Sequence, residues 1–220
     1  MTRPAPSKVV DPLLERVDHL VYSTTDVEES VARIEERLGV RATPGGRHPG
    51  RGTRNALIAL SGWSYLEIVG PDPEQPAARV PRWFGIDTIV IPGLFTWAAK
   101  ATELRALADK AARQGVHLGP VVTGHRTGSD GVGLRWEFTD PATVIGDGLV
   151  PFFIDWGDSP HPAASSPGGP ALISLRGQHP EPSIIQRQLL TVGIDLTVER
   201  GRRPALLATL RTVRGEVELT

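Results

Sequence analysis

Three glycines constrain this chain more than any other feature. Gly39, Gly115 and Gly193 each close a segment in which an apolar run is followed by apolar residues at helical spacing. A glycine just past such a segment supplies the left-handed backbone that ends a helix. In the first segment Val17–Tyr22 (VDHLVY) reads as a strand. Thr25 with Glu28 fits a capping box. Val27, Val31, Ile34 and Leu38 then fall on one helix face. Val40–Ala42 begins a short strand, Pro44–Thr53 reads as a Gly- and Pro-rich turn, and Asn55–Leu60 and Tyr65–Val69 read as two more strands. The order is β-α-β-β-β.

The same layout recurs around Gly115, with Leu94–Ala99 as strand, Thr102–Gln114 as helix, and Gly119–Thr123, Gly133–Phe138 and Pro151–Asp155 as strands. A shorter copy surrounds Gly193: strand Leu172–Arg176, helix Pro182–Val192, then Ile194–Val198, Ala205–Leu210 and Glu216–Leu219. The expected organisation is a leader over 1–16, a first βαβββ module over 17–70, a linker over 71–93, a second module over 94–158, a linker over 159–170 and a third, shorter module over 171–220. Phe84–Pro92 fits no copy and reads as an extra strand or a connector. The fold class is α+β.

Composition narrows the function classes. The net charge is −1, so no basic excess points to nucleic acid. There is no cysteine, which removes disulfides, thiolate metal sites and a Cys nucleophile. No run approaches the ~20 apolar residues of a membrane span, and Met1–Leu14 does not read as a signal peptide. The expectation is a cytoplasmic protein with a small-molecule ligand, without nucleic-acid or membrane partners. No Gly-x-Ser-x-Gly elbow, Walker loop or dinucleotide fingerprint occurs.

Several polar residues stand out. His48 lies in GGRHPGRG, where Arg47, Arg51 and Arg54 make a local basic patch, either a site for an anionic ligand or a solvated hairpin. Asn55, Leu57 and Ala59 alternate with Ala56, Ile58 and Leu60. Arg135 shares a face with Glu137, opposite Leu134, Trp136 and Phe138. Arg135 beside Trp136 therefore either holds an anionic substrate or sits on a plain exposed face. Asp155 and His161 in IDWGDSPH are either an acid–base pair or parts of a Trp-anchored turn. His117, His125 and His179 read as loop or surface residues.

The ordered set VDHLVY, GGRHPGRGTRN, SYLEIVGPDP, LRWEF, PFFIDWGDSPHPA and ALLATLRTVRGEVEL resembles the glyoxalase-like domain family of the vicinal oxygen chelate superfamily, over Val17 to Leu219. The resemblance implies βαβββ modules whose mixed or antiparallel sheets curl around a cleft, often around a divalent metal. Superfamily members include lyases, isomerases, dioxygenases and non-catalytic binding or resistance proteins, and they commonly dimerise. Metal ligands are implied at His19 and Glu67, with Zn, Mn, Fe, Ni or Co as suited ions. The matching second-module places hold Phe95 and Ile154, which cannot bind metal, and the third module keeps Glu218 opposite Glu67.

Two readings follow. One is a metal-assisted enzyme with Glu67, Asp155 and His161 moving protons and His48, Arg51, Asn55, Arg135 and Trp136 contacting substrate. The other is a metal-free binding protein lined by Trp63, Trp83 and Trp136. Any metal is expected to bind weakly, and alanine at His19 is expected to leave the fold intact because no buried charge is stranded.

Overall fold

The structure is a computed structural model, and it describes residues 11–75, 80–127 and 133–220. Most of the leader, 1–10, and part of the linker, 76–79, lie outside the described residues. The remainder of the leader is not extended: Pro12–Arg16 forms a short helix, α1, capped by the Asp11 carboxylate.

Twelve strands and four α-helices follow one another in the described residues. The first part of the chain runs β1 (Val17–Ser23), α2 (Val27–Leu38), β2 (Thr43–His48), β3 (Thr53–Leu60) and β4 (Ser64–Pro71). It continues with β5 (Gly93–Lys100), α3 (Leu104–Arg113), β6 (Val121–Thr127), β7 (Gly133–Thr139) and β8 (Phe152–Asp155). These eight strands make one sheet in the order β2-β3-β4-β1-β5-β8-β7-β6. Its seam is the antiparallel pair β1–β5, whereas β1–β4 and β5–β8 are parallel. The sheet curls until its two edges meet, where Arg126 on β6 donates to the Gly45 carbonyl on β2. A second sheet, β10-β9-β11-β12, is built from β9 (Ala171–His179), β10 (Val198–Arg200), β11 (Ala205–Thr212) and β12 (Gly215–Leu219), with α4 (Pro182–Thr191) between its first two strands.

Alternation along the strands divides the apolar residues between two cores. Leu20, Ile58, Leu66, Ile68, Trp97 and Phe153 face outward from the curl, where they pack with α2, α4 and the smaller sheet. Val21, Trp136, Phe138, Phe152 and Ile154 face inward. The helix α2 buries Val27, Val31, Ile34 and Leu38 as their spacing requires. Each such side chain stabilises the fold by about 1.5–3 kcal/mol. Gly39, Gly115 and Gly193 take φ of 75°, 82° and 74°, the left-handed conformation expected of them.

Local chemistry corrects several boundaries. The cap of α2 is Asp26, which accepts from the Glu29 N–H, not Thr25. Val40–Ala42 is not a strand, and the expected Pro44–Thr53 loop is instead β2 followed by a tight turn into β3. Gly45 sits in that strand for a packing reason: a Cβ there would stand 2.4 Å from Asn55 Oδ1. The strand expected at Gly119–Thr123 starts at Val121, and the one expected at Ile194–Val198 starts at Val198. Phe84–Pro92 is a connector of turns that tucks Phe84 and Ile86 into the inner core.

Candidate functional site

Four neighbouring strands place polar groups on the inner face of the curl. On β4 the alternation turns Tyr65 and Glu67 inward while Leu66 and Ile68 face the outer core. On β3 it does the same for Asn55, and His48 ends β2 beside it. On β1 a bulge between Val17 and His19 breaks the alternation. A bulge places an extra residue in one strand and re-aims its side chains, and here it lets Asp18 and His19 bond to each other.

Glu67 is the centre of the cluster and is only 5% exposed. Its Oε1 accepts from the Asn55 side-chain amide at 2.5 Å and lies 3.8 Å from His48 Nε2. Its Oε2 lies 3.6 Å from His19 Nε2. His19 Nδ1 bonds to Asp18 Oδ1 at 2.7 Å, and its ring stacks on Tyr65 with centroids 4.6 Å apart. His48 Nδ1 bonds to the Thr53 hydroxyl at 2.9 Å. Burial pushes the His48 imidazole below its ordinary pKa, with the Arg126, Arg51 and His19 charges adding to the effect and Glu67 opposing it. His48 is therefore a neutral imidazole at pH 7.

Asp18 is 1% exposed. Besides His19 it meets the Trp156 indole N–H at 3.1 Å and His161 Nε2 at 3.2 Å. His161 Nδ1 accepts the Ala163 N–H, which fixes its proton on Nε2 and makes it a donor to Asp18. Burial by itself would raise the Asp18 pKa. The hydrogen bonds from His161 and His19 outweigh it and hold the carboxyl far below the usual carboxylate range. An ionised carboxylate behind Nδ1 of His19 fixes that ring with its Nε2 toward Glu67, the arrangement that orients metal-binding and catalytic imidazoles alike.

The space in front of these groups is a cavity of about 40 Å³, roofed by Trp83, Phe84, Trp136, Phe138, Phe152 and Trp156, with Arg126 in its wall. Trp136 reaches it because Gly124 opposite carries no side chain; a Cβ there would stand 2.2 Å from the indole. Arg51 lies outside the wall, its guanidinium 4.0 Å from the centre of the Trp83 ring.

The structure thus brings together His19, His48, Asn55, Glu67 and Trp136 at one cavity, with Arg51 at its rim. It does not bring in the others. Arg135 is exposed on the outward face of β7, on the side opposite Trp136. Asp155 accepts the Gly157 N–H and does not pair with His161, whose carboxylate partner is Asp18. Glu218 lies on β12 in the smaller sheet, bonded to Arg176 at 2.7 Å, and is no part of the cluster. Arg47 and Arg54 point away into ion pairs with Asp72 and Glu74 and with Glu28. Those pairs rim a groove of about 650 Å³ between α2 and β2–β3, where each arginine is already matched by a carboxylate. Trp63 is exposed in a turn. His179 is buried and bonded to Asp147, not a surface residue. His19 is one of three side chains that bond to the buried Asp18 carboxylate, so a buried charge does depend on it in part.

Asp18, Tyr65 and Arg126 carry no sequence signal that singles them out. The bulge that turns Asp18 toward His19 and the curl that carries β6 to β2 are tertiary features. As donors, His19 Nε2 and Glu67 suit a divalent ion, with His48 Nε2 facing the other oxygen of the same carboxylate. On the opposite wall the place matching Glu67 holds Ile154, which offers no metal donor. Among the described residues no three His, Cys, Asp or Glu side chains converge as a ready-made metal cage.

Comparison with known proteins agrees with this architecture. No curated protein sequence matches the chain. A hypothetical protein from Staphylococcus aureus has a similar structure, with a TM-score of 0.60 and 14% identity over 92% of this chain and 83% of that one. Methylmalonyl-CoA epimerase from Mycobacterium tuberculosis aligns with a TM-score of 0.44 and 20% identity over 72% of this chain and 98% of the epimerase. The sequence profile of the glyoxalase-like domain matches residues 17–193, which shows that this chain belongs to the glyoxalase-like domain family.

Proposed function

We propose that the protein is a glyoxalase-like enzyme that moves a proton at a carbon next to the carbonyl of a small metabolite, as an isomerase or lyase does. One observation carries this reading. Glu67 is buried at an aromatic-lined cavity with an imidazole edge facing each of its oxygens. A carboxylate so placed takes a proton from carbon while the electron pair moves onto the carbonyl oxygen, and it returns the proton in the second half of the reaction. Asn55 holds one oxygen of Glu67 and leaves the other toward His19. His19, locked by Asp18, and neutral His48 present polar edges to the oxygen on which charge develops. The aromatic roof excludes water, which strengthens each of these interactions.

A divalent ion, where bound, would be held by His19 and Glu67 with His48 as third donor, and it would polarise the carbonyl as a Lewis acid. A second reading, a non-catalytic binding protein, draws on Phe95 and Ile154 at the second-module places that match His19 and Glu67.

Deuterium wash-in separates the two. The protein, with and without added Zn, Mn, Fe, Ni or Co, is incubated in D₂O with small ketones and 2-oxo acids, and exchange is followed by NMR. The expected result is exchange that falls by about 10²–10⁴ in Glu67→Gln. Ligand binding without exchange selects the binding protein. Exchange unchanged in Glu67→Gln removes Glu67 from the reaction. Calorimetric titration with each ion measures the metal site directly.

A further inference from the structure

Arg126 lies in the wall of the cavity and is 7% exposed. A buried guanidinium is costly unless its charge is answered. NH1 donates to the Gly45 carbonyl, which is a neutral acceptor, and among the described residues no carboxylate stands within 4.0 Å of it. Closing the curl at Gly45 uses one of the five donors of the side chain. A neutral amide would do that much without burying a charge.

Tyr65 is the second observation. It lines the same cavity and is 4% exposed. Its ring is fixed against His19, yet its hydroxyl makes no hydrogen bond with the described residues. A phenol is a hydrogen-bond donor, and this one lines the cavity without an acceptor among the described residues.

We propose that Arg126 and Tyr65 form a subsite for one carboxylate of the ligand, which makes the substrate class a small oxo acid instead of a neutral ketone or aldehyde. The subsite rests on the cavity being the substrate site proposed above. An Arg fork with a phenol donor matches the two oxygens of a carboxylate. Glu67 then meets the carbon chain from its own side of the cavity and not the carboxylate. The cavity volume of about 40 Å³ admits about three water-sized groups, so the carboxylate fits as the cavity stands and the carbon chain reaches Glu67 only when the aromatic roof gives way.

The smallest carboxylate and its neutral counterpart test this without knowledge of the substrate. Binding of formate and of formamide to the whole protein is followed by ligand-observed NMR. Formate is expected to bind at least about tenfold more tightly than formamide, the difference that charge-assisted hydrogen bonds supply. Arg126→Gln should abolish that preference. Tyr65→Phe, which keeps the ring on His19, should weaken formate several-fold and leave formamide unchanged. Glu67→Gln should strengthen formate, because a like charge is removed from the cavity, while it stops the exchange reaction. Equal binding of formate and formamide, no formate binding up to about 100 mM, or, where Arg126→Gln does not fold, an acid preference in Tyr65→Phe as large as in the wild type would each overturn the subsite. Exchange that continues in Glu67→Gln overturns the proton-transfer reading and leaves the subsite standing.

Discussion

Replacing Asp18 by asparagine should be among the most damaging single-atom changes in the protein. The carboxylate is buried and accepts from His19 at 2.7 Å, Trp156 at 3.1 Å and His161 at 3.2 Å. Hydrogen bonds to an ionised group contribute about 1.5–3 kcal/mol each. Asparagine keeps one acceptor oxygen and turns an N–H₂ toward a ring that now donates, so one to two of the three bonds are lost and a buried donor is left facing a donor. The expected loss is about 2–4 kcal/mol, a fall in Tm of about 5–15 °C for a chain of this size. The carboxylate is buried, so solvent screening takes little from this figure. The pH dependence has a definite sign. The folded-state pKa of Asp18 lies below its unfolded value of about 3.9, so its stabilisation is present above that pH and is lost as pH falls further. Urea unfolding of Asp18→Asn and wild type between pH 7 and pH 3 should show a gap that is full at pH 7 and narrows below about pH 4. Nitrogen NMR of His19 should show the Nδ1 proton shifted or lost in the variant. A variant within about 0.5 kcal/mol of wild type at pH 7, or a gap independent of pH, would refute the account of Asp18 as the ionised anchor of His19.

His19→Ala should also destabilise, since it removes one of the three donors to Asp18, whereas His19→Gln retains an N–H in reach and should recover part of the loss; equal unfolding midpoints for the two variants would contradict this. Gly124→Ala places a methyl 2.2 Å from the Trp136 indole and should cost about 1–3 kcal/mol through overpacking, visible as a changed tryptophan emission. Arg135→Ala and Glu218→Ala act outside the cavity: each should shift stability by less than about 1 kcal/mol and leave formate and metal titrations unchanged, and a clear loss of binding in either would mean that the cavity is not the site.

Much of the architecture is legible in the linear sequence because it depends on local periodicity. Val27, Val31, Ile34 and Leu38 announce one helix face, and the three positive-φ glycines mark where helices stop. The alternation in β3 and β4 already separates Asn55 and Glu67 from the residues of the outer core. Where glycine and proline were read as turn signals, at Gly45 and Gly46, the residues are in a strand, since missing side chains serve close packing as readily as bending. The partners across the site were not legible. Arg135 and Arg126 are both arginines on neighbouring strands, and only the direction of each strand's pleat within the curl decides that Arg126 faces the cavity and Arg135 faces away. Asp18 precedes His19 in any reading of the chain, but strict alternation would turn the two side chains to opposite faces. The bulge against β5 lets them meet, and a bulge is set by the pairing of strands far apart in sequence. Periodicity is a property of one segment. The site is a property of how seven strands and a connector close on one another, and that closure exists only in the tertiary structure.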